Sequence, residues 1–298
     1  MSRLSRCMQA LTLLPSLIWF PRERLQSTTG EPRQRGSFVE VEGSKLYYEE
    51  CGNGPQAVVL VHDGVLHSAA WDDVWPEFCK HSHTIRYDRR GYGQSPAATA
   101  GYFATDDLAT LLHHLRITRA AIVGSSHGGE ISINFTLDHP DIVQQLVLVG
   151  AVVGGVPYSK HFLERGEVLG RPLEKGDLQG AIAAAAKDKY LVASGNDAAK
   201  KRMAEILSAS PQDLTHPELE LPPKPALPRL HDIRIPTLLL VGDADIPDVH
   251  AHAGAIEAGI PTARRVVISN VGHVMYIEKP AEFSRIVIRF LESQSWEH

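Results

Sequence analysis

The segment Gly124-Ser125-Ser126-His127-Gly128 follows an apolar run at 120–123 and precedes a helix-prone stretch at 131–137. A strand, a sharp turn and a helix in that order form a G-x-S-x-G elbow, in which small neighbours permit a strained serine to project its hydroxyl above a sheet. Ser126 is therefore the candidate nucleophile. An acyl-transfer centre also needs an imidazole that takes and returns the proton and a carboxylate that fixes the imidazole's tautomer. Asp243, Asp245 and Asp248 follow one late apolar run, at 237–241, and His273 follows the next, at 265–268. Both segments fall at the carboxyl edge of the sheet, where open α/β sheets build their sites. Fourteen further histidines are present. Of these, His127 adjoins the serine and is read as a backbone donor.

The elements that must carry these residues are legible from residue 37 onward. Residues 38–41 and 45–48 flank a Gly43-Ser44 turn and read as an antiparallel hairpin. Runs at 57–61, 84–87, 120–123, 146–149, 237–241 and 265–268 are nearly continuous in apolar residues, as suits strands covered on both faces. Leu108, Leu111, Leu112 and Leu115 recur at helical spacing after a Thr105 N-cap, and a last helix is predicted over 281–292. Between 152 and 232 no strand pattern appears. Residues 181–186, 187–192 and 198–207 are helix-prone, and 221–225 reads as an extended return. That length far exceeds one crossover, so a helical insertion is expected after the sixth strand.

Composition narrows the function classes. The chain has 298 residues, 43% of them hydrophobic and 22% charged, with a formal net charge of -5. Such a composition reads as that of an ordinary soluble globule, and its charge gives no electrostatic case for nucleic acid or an anionic membrane as a partner. Cys7, Cys51 and Cys79 are too scattered for a disulfide framework or a zinc site. They read as free thiols, although Cys51 and Cys79 remain able to pair if geometry allows. Arg3 and Arg6 precede a mostly apolar stretch at 7–21, too short for a spanning helix and without a clear cleavage site. Residues 1–35 are therefore set apart as an extension. The sequence leans towards a cytoplasmic location and leaves export open if that extension acts as a signal. No cofactor is expected, because neither a metal-ligand spacing nor a dinucleotide fingerprint is present.

From residue 37 to 291 the chain resembles the α/β-hydrolase family. Besides the elbow, His62-Asp63-Gly64 is similar to the family's H-G-x after the third strand, and Asp88-Arg89-Arg90-Gly91-Tyr92-Gly93-Gln94-Ser95 to its D-x-R-G-x-G-x-S loop. Gly242 to Asp245 and Gly272-His273 match its G-x-x-D and G-H segments. The resemblance implies a mostly parallel eight-stranded sheet with helices on both faces. It places the core at 36–151 and 233–298 and a helical cap at 152–232. It also implies Ser126 as nucleophile, Asp245 as acid and His273 as base, with the Gly64 and His127 amides as oxyanion donors.

Asp63 departs from the family's glycine. A carboxylate about 5 Å from an oxyanion would oppose it by roughly 3 kcal/mol at an effective dielectric near 20, so Asp63 is expected to point away or to pair with Arg89 or Arg90. The two arginines and two glycines of 88–95 suggest a phosphate loop but lack the Walker pattern. A turn held by Asp88 and an arginine network is the expectation. Family analogy puts Trp71, Val153, Tyr158, Phe162, Leu163 and Met275 near the mouth of the site.

The resulting expectation is a serine hydrolase of small to medium carboxylic esters acting through an acyl-enzyme. Its partner would be a small-molecule ester, with no nucleic acid and no stable membrane span, and a homodimer stays open. Carbon-carbon bond hydrolases of aromatic degradation are similar, including a pair like Gly128-Gly129, but commonly carry tryptophan where this chain has Val274. A ligand-sensing receptor on the same fold is the non-enzymatic alternative.

Overall fold

The computed structural model describes residues 36–215 and 219–293; the extension at 1–35, with Cys7, lies outside the described residues. The first strand β1 (Ser37–Val41) turns at Gly43, φ +69°, into β2 (Ser44–Cys51), and β2 runs antiparallel to β4 (His83–Tyr87). From there β3 (Ala57–Val61), β5 (Ala120–Ser125), β6 (Val143–Val149), β7 (Thr237–Gly242) and β8 (Ala263–Ile268) are parallel. The eight strands are ordered β1-β2-β4-β3-β5-β6-β7-β8.

Side chains alternate across a strand, so one apolar run feeds two cores. Val58, Leu60, Ala121, Val123, Val147, Val149, Leu238 and Leu240 face one layer. Their neighbours Val59, Val61, Ala120, Ile122, Leu146, Leu148 and Leu239 face the other. The first layer is covered by α1 (Trp75–His81) through Phe78. The second is covered by α2 (Ala104–His114) through Leu108 and Leu111, and by α3 (His127–Asp138) through Ile133 and Phe135.

Between β6 and β7 the chain forms α4 (Lys160–Glu174), α5 (Leu178–Lys187) and α6 (Asp197–Ala209). After β7, α7 (Pro247–Gly259) buries Ile256 in the second layer. The short α8 (Met275–Glu278) and the final α9 (Pro280–Glu292) close the first layer with Tyr276, Phe283 and Val287.

Several local expectations are corrected. Helix α2 begins at Ala104 with no side-chain cap, so Thr105 lies inside it. Helix α4 was not anticipated: Gly166, Gly170 and Pro172 interrupt its pattern, and it buries no residue. Residues 188–192 are not helical, because the Asp188 carboxylate accepts the amides of Tyr190 and Leu191, both at 2.9 Å, and turns the chain. Cys51 and Cys79 are not free thiols. They form a disulfide with Cα atoms 5.2 Å apart, because α1 leads directly into β4, the strand paired with β2.

Candidate active site

Strand β5 ends at Ser125 and α3 begins at His127, leaving Ser126 between them at φ 52°, ψ -117°. A non-glycine residue at positive φ is strained, and close packing holds it there. The Ser126 amide donates to the Val149 carbonyl at 2.9 Å. A side chain on Gly124 would overlap Ser132 and the Gly128 carbonyl, and one on Gly128 would overlap the Val61 and His62 carbonyls.

At the end of β7, Asp245 Oδ2 accepts from His273 Nδ1 at 2.8 Å, while Oδ1 accepts the Ile246 amide at 2.7 Å. Burial opposes a charged imidazole, but the adjacent Asp245 carboxylate outweighs it and raises the His273 pKa above its usual value. The rival aspartates are engaged elsewhere. Asp243 accepts the Asn270 amide at 2.7 Å, and Asp248 accepts the Ser159 amide and hydroxyl at 2.6 and 2.8 Å. His273 stands beside the elbow: a Cβ on Gly150, the residue after Val149, would lie 3.0 Å from its Cε1 and Nδ1. The Asp245-bound Nδ1 leaves Nε2 as the atom free to act as a base.

Gly64 and His127 face each other, a Cβ on Gly64 lying 3.6 Å from His127 Cβ. His127 is the first residue of α3, so its amide is outside the helical ladder. The Asp63 carboxylate is held by three donors. Its Oδ1 accepts the Val65 and Leu66 amides at 2.6 and 2.8 Å, and its Oδ2 accepts the Tyr276 hydroxyl at 2.6 Å. Of the two alternatives expected for Asp63, turning away or pairing with Arg89 or Arg90, the arginine pair is not the one formed. Arg89 binds the Asp63 carbonyl and Glu220, and Arg90 clasps Asp107 with two bonds of 2.7 and 2.6 Å. In the 88–95 turn the Asp88 carboxylate accepts the Ser68 and Gln94 amides at 2.9 and 2.8 Å, and the Arg89 guanidinium lies 5.0 Å from the Tyr92 ring centroid.

The His127 ring lies between carboxylates, its Nδ1 3.2 Å from Glu130 and its Nε2 3.0 Å from Glu220. Burial and the Arg89 charge oppose its protonation, but the two carboxylates prevail and its pKa is raised. Burial would raise the Glu220 pKa, yet the His127 hydrogen bond and the Arg89 charge bring it down to about 2.

The strained Ser126 at the strand–helix turn, the His273–Asp245 pair near it and the close approach of Gly64 to His127 bring together the residues that the sequence singled out. The sequence model of the alpha/beta hydrolase family matches residues 58–286. The chain belongs to that family. Among relatives of this alpha/beta hydrolase is a 2-hydroxy-6-oxo-2,4-heptadienoate hydrolase of Pseudomonas putida, 27% identical, with 87% of this chain and 97% of the relative covered. It is similar in structure to Est816, described as an N-acyl homoserine lactone degrading enzyme, at 27% identity and a TM-score of 0.70, over 85% of this chain and all of that one. It also shares its fold with the esterase EaEST of Exiguobacterium antarcticum, at 23% identity and a TM-score of 0.75, over 87% and 100% of the two chains.

Around this alpha/beta hydrolase site the six residues expected at the mouth separate. Trp71 and Met275 are fully buried in the core, the Trp71 ring 4.3 Å from that of Tyr276, so neither lines an open mouth. Val153 is buried and its amide donates to His252 Nδ1 at 3.0 Å. Tyr158 stacks on Phe162 with centroids 4.3 Å apart, and Tyr158 and Leu163 remain exposed. Tyr276, Gly150 and Glu220 were missed. Each acts across a long stretch of chain, and no short motif marks it.

Proposed function

We propose that this alpha/beta hydrolase cleaves small to medium carboxylic esters through an acyl-enzyme on Ser126. The observation that carries the reading is the strained Ser126 beside a His273–Asp245 pair at 2.8 Å. In this reading His273 Nε2 takes the Ser126 proton as Oγ attacks the ester carbonyl. Asp245 keeps the Nδ1–H tautomer and stabilises the imidazolium. The Gly64 and His127 amides receive the charge that develops on the carbonyl oxygen. Collapse of the tetrahedral adduct breaks the acyl–alkoxy bond, and the imidazolium returns its proton to the leaving alcohol. Water then attacks the acyl-serine by the same route, releasing the acid and restoring the serine hydroxyl.

Carbon-carbon bond hydrolysis is the second reading, supported by the relative named as a 2-hydroxy-6-oxo-2,4-heptadienoate hydrolase. The Gly128-Gly129 pair does not favour it, since both glycines have packing reasons. A side chain on Gly129 would overlap Ala151, just as one on Gly128 would overlap backbone carbonyls. Hydrolysis of p-nitrophenyl acetate, butyrate, octanoate and palmitate by the wild type and by Ser126→Ala tests the proposal. Turnover that peaks at short or medium chains and vanishes in the variant is expected. A folded wild type that cleaves none of them, but cleaves a vinylogous 1,5-diketone acid, supports the second reading.

A further inference from the structure

Protein groups hold the Asp63–Gly64 peptide at its own carbonyl and at the Gly64 carbonyl that follows it. The Asp63 carbonyl accepts from His62 Nδ1 at 2.8 Å and from Arg89 Nη1 at 3.0 Å, which occupies both of its lone pairs. The Arg89 amide donates to His62 Nε2 at 2.9 Å, so His62 is the neutral Nδ1–H tautomer. Burial and the Arg89 charge hold its pKa well below the usual value. On the other side, the Gly64 carbonyl accepts the Tyr92 hydroxyl at 2.9 Å.

Arg89 is itself anchored. Its Nη2 meets Glu220 Oε2 at 2.9 Å, and the same oxygen meets His127 Nε2 at 3.0 Å. Glu220 lies where the chain returns from the inserted helices, bridged to Tyr102. One carboxylate oxygen thus joins Arg89, which holds the Asp63 carbonyl, to His127, whose own amide is the second donor of the proposed oxyanion site.

We propose that Arg89 and Glu220 are positioning residues of the oxyanion site. Arg89 fixes the plane of the Asp63–Gly64 peptide, and Glu220 keeps Arg89 and His127 in register. The inference rests on the reading of Ser126 as an acyl-transfer nucleophile. In a trans peptide the C=O and N–H dipoles are aligned, so donors on the carbonyl oxygen polarise the N–H on the opposite side. Lysine keeps the charge at position 89 but lacks the planar fork that spans the Asp63 carbonyl and Glu220 together.

The test compares wild type, Arg89→Lys, Arg89→Met and Arg89→Met/Glu220→Gln, the double variant removing both charges of a buried pair. Folding is followed by circular dichroism and melting, turnover with p-nitrophenyl butyrate, and oxyanion affinity with trifluoroacetophenone, which forms a charged hemiketal on the serine. In folded variants without Arg89, kcat is expected to fall roughly 10- to 100-fold. KM should change by less than about twofold. Trifluoroacetophenone affinity should fall by the same factor as kcat, and Arg89→Lys should recover part of both.

Folded variants that keep kcat and inhibitor affinity within about twofold of wild type overturn the proposal. So does a loss of kcat explained by a smaller folded fraction, with inhibitor affinity of that fraction unchanged. The Ser126→Ala control separates the two levels. If it abolishes turnover while the Arg89 variants are unaffected, the positioning role alone fails; if it keeps turnover, the nucleophile reading fails and the proposal with it.

Discussion

Tyr276 and Asp63, 213 residues apart in sequence, form a buried hydrogen bond of 2.6 Å in which the phenol donates to Oδ2. The bond resolves the conflict created by a carboxylate next to the Gly64 amide. Two backbone amides hold the other oxygen, Oδ1, so the carboxylate is tied down at both ends. Burial and the Asp63 charge push the Tyr276 pKa well above its ordinary value, and the phenol stays a donor.

Tyr276→Phe should therefore leave Oδ2 buried without its partner. A loss of about 1–3 kcal/mol of stability is expected from the orphaned group, together with a fall in kcat of about tenfold as the freed charge opposes the oxyanion. Asp63→Asn/Tyr276→Phe should recover much of the kcat. Urea unfolding and p-nitrophenyl butyrate kinetics on the three variants check this, and unchanged kcat in Tyr276→Phe would show that the bond serves packing alone.

The acid limb of kcat/KM should lie above pH 6.5. Burial lowers the His273 pKa, but the Asp245 charge and hydrogen bond raise it further, with a smaller contribution from Asp63. Only the neutral imidazole accepts the serine proton, so a raised pKa moves the limb towards alkaline pH. Asp63→Asn should shift it back, and Asp245→Asn should cost about 10⁴-fold in kcat. Stability has the opposite dependence on protonation. A folded pKa above the unfolded value makes this contribution complete below the unfolded pKa and removes it as pH rises through the folded one. Rate profiles and melting temperatures across the neutral range measure the two effects separately.

Gly150→Ala should damage catalysis more than stability. Gly150 has φ +52°, and an added Cβ would lie 3.0 Å from two His273 ring atoms and 3.3 Å from Asp245 Oδ2. Backbone strain costs about 1–2 kcal/mol, and displacing the imidazole should lower kcat by about 100-fold. Gly176→Ala is the control, because Gly176 has φ +70° with no atom within 4 Å of the new Cβ. Its stability loss should be similar and its kcat unchanged.

Reduction of Cys51–Cys79 should lower stability without changing the activity of folded molecules. The bond closes a loop across a sequence separation of 28, which the chain-entropy model values at about 3–4 kcal/mol. Urea unfolding of wild type with and without reductant, and of Cys51→Ser/Cys79→Ser, measures the difference. Equal stability in all three would mean that the fold gains nothing from the bond.

The sequence alone determined where the eight strands and the elbow lie along the chain, because these depend on patterns only a few residues long. Runs such as 57–61 and 237–241 supply both faces of a strand at once, and a strand-turn-helix is defined by neighbours. Tertiary structure decided what depends on distance. Asp243, Asp245 and Asp248 share one loop, yet only the path of the chain after β8 brings His273 to Asp245. Trp71 reads as a mouth residue but packs on Tyr276 in the core. The Asp63 carboxylate binds Tyr276 rather than Arg89 or Arg90, and Arg89 reaches Glu220 across 131 residues. Such pairings follow from which faces of the sheet are covered by which helices, and a charge or hydroxyl finds its partner only after that packing has excluded water.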